Sequence, residues 1–180
     1  MEKKVGKAEI HLGKDDITLM DVDAFVFYAR PDLKLGSGFG NAITLRGGTI
    51  IQEELDKIGS ASVGKAEVTS AGKLKARHII HAVGPAFQEQ DSEVKLEKTT
   101  RSVLQKAEEL AAVSLALPPM GSGFYGIAPD VCARVVLGVL AEHLAGKTSL
   151  RNVYLCLPDG RDMNPFQKQL AALHPKGETR

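Results

Sequence analysis

Two glycine-rich stretches hold the residue types and spacings best suited to chemistry. The first, Gly36-Ser37-Gly38-Phe39-Gly40, follows an apolar run and Arg30-Pro31-Asp32, and it precedes Asn41-Ala42-Ile43-Thr44-Leu45. The second, Gly121-Ser122-Gly123-Phe124-Tyr125-Gly126, follows the short apolar run Val113–Leu117. After it come Pro129-Asp130 and then Cys132, Val135, Val136, Val139 and Leu140 at helical spacing. Proline at a first helical position with an acid beside it signals a helix start. Each stretch therefore reads as strand, glycine loop, helix. Glycine permits positive φ and leaves backbone N–H groups clear of side chains, so such loops can aim donors at an anion, commonly a phosphate. A tight strand-to-helix turn needs glycine for its shape alone, and short motifs match by chance, so spacing by itself leaves both readings open.

Other reactive side chains are less well placed. Ser122 lacks the G-x-S-x-G spacing of an activated serine and reads as a phosphate-loop hydroxyl. His78 and His81 fall in a strand pattern with no adjacent nucleophile or acid, and both are expected to be structural. Cys132 and Cys156 sit in apolar patterns without C-x-x-C spacing or a Cys/His cluster, which argues against a structural zinc site and predicts two small buried residues. No metal and no cofactor is expected. Arg30 can pair bidentately with a phosphate or carboxylate, or it can fill a pocket and block it. Phe124 and Tyr125 can flank a ligand, or Phe124 can seal the core.

The elements that must position these residues follow from periodicity. Val5 to Leu12 reads as a first strand, and Ala24 to Tyr28 as a second, rich in aromatic and β-branched residues. Ile51, Leu55 and Ile58 mark an amphipathic helix closed by Gly59. Ala66 to Ala71 and His78 to Val83 are strands. Ser92 to Ala112 is the longest helix, with Ser92 as its expected N-cap and Leu96, Thr100, Val103, Ala107 and Leu110 as its buried stripe. Asn152 to Leu157 is the last strand, and Phe166, Leu170 and Leu173 mark the last helix. Strands alternating with helices predict a sheet covered on both faces. No internal repeat, linker or low-complexity segment interrupts 180 residues, so one domain over 1–174 is expected, with a frayed tail over 175–180.

Composition narrows the function. Twenty-three basic residues against 22 acidic ones leave a net charge of +1, which argues against bulk attraction to nucleic acid or an anionic membrane. No apolar run approaches membrane-spanning length, and Met1–Val5 lacks a signal-peptide core, so a cytoplasmic location is expected.

At this point the chain resembles the macrodomain family. The resemblance rests on an ordered series: Asp16-Ile17-Thr18, Val22-Asp23-Ala24, Gly36-Ser37-Gly38-Phe39 leading to Ala42-Ile43, Gly64-Lys65-Ala66, Ile80 to Pro85, and Gly121 to Gly126. It implies a three-layer α/β/α sandwich with a mixed, mostly parallel central sheet. It also implies binding of ADP-ribose, free or protein-attached. Asp16 would accept from the adenine amino group with the Ile17 backbone beside it. Its duller alternative, a turn cap, ranks lower on its place in the series. Gly36 to Gly40 would wrap the diphosphate and distal ribose from one side, and Gly121 to Tyr125 would supply N–H groups from the other.

The departures matter as much. Where the family commonly reads Asn-Ala-Ala-Asn after the second strand, this chain reads Phe27-Tyr28-Ala29-Arg30. Where its hydrolase branch carries an acid two positions before the alanine matching Ala42, this chain has Gly40. The aromatic that often stacks on adenine after the last strand is Pro158 here. These changes favour a binding module with absent or weak turnover. An ADP-ribosyl or O-acyl-ADP-ribose hydrolase with an unfamiliar water-activating group is the alternative. A scaffold or nucleic-acid binder is a further one.

Overall fold

The computed structural model describes residues 1–174; the tail expected over 175–180 lies outside them. Seven strands form one mixed sheet in the order β1-β2-β7-β6-β3-β5-β4. They are β1 (Glu2–Val5), β2 (Ala8–Gly13), β3 (Ala24–Ala29), β4 (Lys65–Ser70), β5 (His78–Val83), β6 (Ser114–Leu117) and β7 (Asn152–Cys156). The central five, β2-β7-β6-β3-β5, run parallel, and β1 and β4 close the two edges antiparallel.

Five helices cover the sheet. They are α1 (Phe39–Gly47), α2 (Ile50–Ile58), α3 (Ser92–Glu109), α4 (Pro129–Ala145) and α5 (Gly160–Ala172). Ile43, Ile51 and Leu55 bring α1 and α2 against one face, where Phe25 and Ile79 meet them. Leu96, Val103, Val136, Leu140, Phe166 and Leu170 bring α3, α4 and α5 against the other, over Val26, Ile80 and Leu115. β3 alternates between the two, as a strand of period two must. The three-layer mixed α/β arrangement is the one expected, and among the described residues no helix is long and apolar enough to cross a membrane.

Two local expectations are corrected. Val5 to Leu12 is not one strand: Val5 pairs with Ala8 across a turn at Gly6-Lys7, so β1 and β2 form a hairpin. Gly6 takes φ 61°, and a Cβ there would stand 2.3 Å from the Leu144 carbonyl oxygen, a contact that periodicity cannot reveal. Ser92 is the first residue of α3 and not its cap; Asp91 holds the cap position at φ 54°, with no side-chain capping bond.

Candidate functional site

β3 and β6 pair only through Ala24–Leu115 and Phe25–Ala116, and beyond those pairs a crevice opens between their carboxyl ends. The chain leaving β3 passes through α1 and α2 to β4 and β5, whereas the chain leaving β6 passes through α4 to β7 on the opposite side. Diverging connections of this kind mark the switch point at which open α/β sheets form their ligand crevices. Here the crevice is a cavity of about 870 Å³, within the range of small-molecule sites.

Both glycine loops flank it. From the first loop, Gly36, Ser37, Gly38, Phe39 and Gly40 line the wall. Gly36 and Gly38 take φ 64° and 63°, and Gly38 occupies the cap position of α1 with no side-chain cap bond. From the second loop, Gly121, Ser122, Phe124 and Tyr125 line the wall, and Gly123 does not. Gly121, Gly123 and Gly126 take φ 84°, 65° and 76°. This loop folds on itself: Ser122 N–H donates to the Pro119 carbonyl at 3.2 Å, and Ile127 N–H donates to that of Gly121 at 3.0 Å. Among the described residues, no protein acceptor takes the N–H groups of Gly38, Phe39 and Gly40 or those of Phe124 and Tyr125. Uncovered donors at a helix start and in a glycine nest form an anion-binding surface. Four cations, Lys14, Arg30, Lys34 and Arg46, share the wall with Asp15 and Asp16, and Arg30, Lys34 and Arg46 are ion-paired with Asp32, Asp56 and Asp16.

Asp16 and Ile17 line the far end of the same cavity. The capping role ranked second for Asp16 is present: Oδ1 accepts from the Thr18 N–H at 3.0 Å and its hydroxyl at 2.7 Å, starting a 3-10 turn over Ile17–Leu19. Oδ2 accepts from Arg46 Nη1 at 2.7 Å. Burial pushes the Asp16 pKa up, but the Thr18 and Arg46 bonds outweigh it and hold the carboxyl below its usual range. Each carboxylate oxygen can accept more than one bond, so Oδ2 keeps acceptor capacity toward the cavity. Pro158 lines this end as well.

At the other end the replaced residues are all on the wall. Phe27 stacks on Phe39 at a centroid distance of 6.0 Å, and Tyr28 packs against Tyr125 at 4.3 Å. Tyr28 donates its hydroxyl to the Pro85 carbonyl at 2.6 Å. Arg30 donates to Asp32 at 2.6 Å and stays on the wall, close to Gly36 and felt electrostatically at Tyr125. Phe124 does not seal the core: it is 88% exposed, and the half-buried Tyr125 ring stands perpendicular to it. Both loops read Gly-Ser-Gly-Phe, a four-residue identity that gains meaning only once both copies face one cavity.

Several wall residues carry no local signal. Lys34 and Arg46 reach the cavity from the connection and from α1, and Cys156 from the end of β7. Burial pushes the Cys156 thiol up to about 12, so it stays protonated. Ser122 does have an acid neighbour, Asp162 in the first turn of α5, which reads in sequence as an ordinary helix-start acid. Burial raises the Asp162 pKa, and the Ser122 side chain opposes that rise. His81 is fully buried with Nε2 at 2.8 Å from the Thr69 hydroxyl oxygen. That hydroxyl also lies 2.9 Å from the Ser70 carbonyl oxygen, and when it donates there His81 Nε2 donates to Thr69. His81 Nδ1 is left without a partner.

Comparisons with known proteins place the family and the fold of this chain. The Macro domain family model matches residues 29–136. A protein of Saccharolobus solfataricus is 44% identical over 153 residues, covering 83% of this chain and 85% of its own length. A macro domain-containing protein of Caldanaerobacter subterraneus subsp. tengcongensis is 34% identical over 168 residues, covering 90% of this chain and 95% of its own length. In fold, the Oceanobacillus iheyensis macrodomain with ADP superposes with a TM-score of 0.89 at 23% identity, covering 95% of this chain and 94% of that one. A variant of the same protein was solved with ADPR, at a TM-score of 0.84 and 24% identity over 95% and 96% of the two chains. The chain belongs to the macro domain family.

Proposed function

We propose that this macrodomain is a binding module for ADP-ribose, free or protein-attached, or for a related nucleotide diphosphate. The diphosphate lies between the two glycine loops and the adenine lies toward Asp16. The observation that carries the reading is the pair of loops, each with positive-φ glycines and uncovered N–H groups, on the walls of one cavity. The ADP and ADPR in the Oceanobacillus iheyensis structures support it through the shared fold.

Calorimetric titration with ADP-ribose and ADP tests the proposal. Both are expected to bind, with ADP retaining most of the affinity, because Phe27, Tyr28 and Arg30 replace the polar end of the site. Gly38→Glu should weaken either ligand at least a hundredfold. Its Cβ meets no protein atom within 4 Å, but φ 63° strains any side chain there, so a melting curve accompanies the titration in which a carboxylate faces the phosphate. Absence of binding by wild-type protein at millimolar ligand would overturn the reading and leave the scaffold alternative.

A further inference from the structure

We infer that the site is shaped for a dinucleotide, in which the diphosphate joins adenosine to a second nucleoside whose uncharged, flat base lies against Phe39 and Phe124. The inference rests on the reading just proposed and adds the identity of the group beyond the diphosphate. The chain has nine phenylalanines and tyrosines, and five of them, Phe27, Tyr28, Phe39, Phe124 and Tyr125, line this one cavity. Core packing accounts for Tyr28 and Tyr125, which lie tilted against each other beside the α3–α4 layer. It does not account for Phe124, at 88% exposed, or for Phe39, at 43%. Exposed large aromatics gathered at a cavity mark a binding surface rather than a core.

The placement of the two rings is specific. Each is the residue directly after Gly-Ser-Gly, one on each loop, so each stands next to the glycine nest proposed to hold the diphosphate. A group joined to the second phosphate therefore has a phenylalanine on each loop within the cavity that it enters. The wall behind it suits a ribose poorly. The side chains of Phe27 and Phe39 offer no donor or acceptor, and the Tyr28 hydroxyl gives its hydrogen to Pro85. A planar base needs only faces, and aromatic side chains stack on any base. Arg30 adds a condition. Its Nη2 is tied to Asp32, but Nη1 stands beside Gly36, so an uncharged ring is accepted more readily than a cationic one.

The test is an affinity ladder measured by calorimetry on the whole chain, with ADP, ADP-ribose, P1,P2-di(adenosine-5′) diphosphate, NADH and NAD+. The diadenosine compound and NADH are expected to bind about tenfold or more tighter than ADP, the range that one stacked base gives. ADP-ribose should stay within about threefold of ADP. NAD+ should bind several-fold more weakly than NADH, and Arg30→Gln should remove that difference. The double variant Phe39→Ala/Phe124→Ala should bring the dinucleotide-to-ADP affinity ratio down to about twofold or less; its melting curve serves as the check on folding. A ratio near one in the wild type, a ratio that survives the double variant, or ADP-ribose binding as tightly as the dinucleotides would each overturn the inference while leaving the binding module intact. Failure of ADP itself to bind would overturn the module, and the inference with it.

Discussion

Gly40 and Leu35 approach so closely that a Cβ on Gly40 would stand 1.8 Å from the Leu35 carbonyl oxygen. The missing acid at this position is thus more than an exchanged side chain. The first glycine loop has closed over the space, and the obstacle is backbone.

Gly40→Asp is accordingly expected to destabilise the protein without creating a hydrolase. Forcing atoms into a filled site typically costs about 1–3 kcal/mol, and each kcal/mol lowers the melting temperature of a domain of this size by roughly 2–4 °C. Release of ADP-ribose from modified protein should stay at background in both wild type and variant, because a positioned base accounts for about 10²–10⁴-fold of rate. A variant that melts normally and turns over substrate would show that the loop opens freely and that the wild type lacks only the carboxylate.

Asp16 is expected to affect affinity and stability separately. Asp16→Ala removes the acceptor offered to the base, a loss of roughly one to two decades in affinity. It also removes the cap on the Thr18 N–H, at about 1 kcal/mol. Asp16→Asn keeps a carbonyl oxygen for the Thr18 N–H and should recover most of the stability. Because it weakens the hold on Arg46, it should not recover the affinity. Equal recovery of both quantities would mean that Asp16 acts only as a cap.

Acid sensitivity should trace to His81. Burial pulls its pKa from 6.5 down to about 3, so the folded ring stays neutral where the unfolded one takes up a proton. The stabilisation is complete above the unfolded pKa and is lost as pH falls toward the folded one. Between pH 6.5 and 5 the loss should reach about 1.5–2 kcal/mol. Urea unfolding at several pH values measures it, and His81→Asn should flatten that part of the profile. An unchanged slope in the variant would assign the sensitivity to other groups.

Much of this was legible in the chain because the signals are local. The apolar runs of β3, β5 and β7 and the helical spacing of α4 fix the alternation that produces the sheet. The glycine loops announce themselves by composition. What stayed hidden depends on contacts between distant segments. The Gly6 turn is required by Leu144 of α4, and Arg46 turns toward Asp16 only once α1 packs beside the 3-10 turn. Asp162 carries no mark in its own helix that would link it to Ser122. The repeated Gly-Ser-Gly-Phe stood in plain view, but no sequence period relates two loops that converge only through the order of the sheet.

The two loops are rooted in different halves of the molecule. The first runs into α1, whose Ile43 packs in one hydrophobic cluster, and the second leads to α4, whose Val136 and Leu140 belong to the other. The sheet lies between these clusters as a septum. A diphosphate gripped from both sides would therefore act as a cross-brace at the open end of the sandwich, tying one helical layer to the other. Amide exchange at the first turns of α1 and α4, 90 positions apart in the chain from Phe39 to Pro129, would then slow together on ligation, although the two turns belong to separate layers.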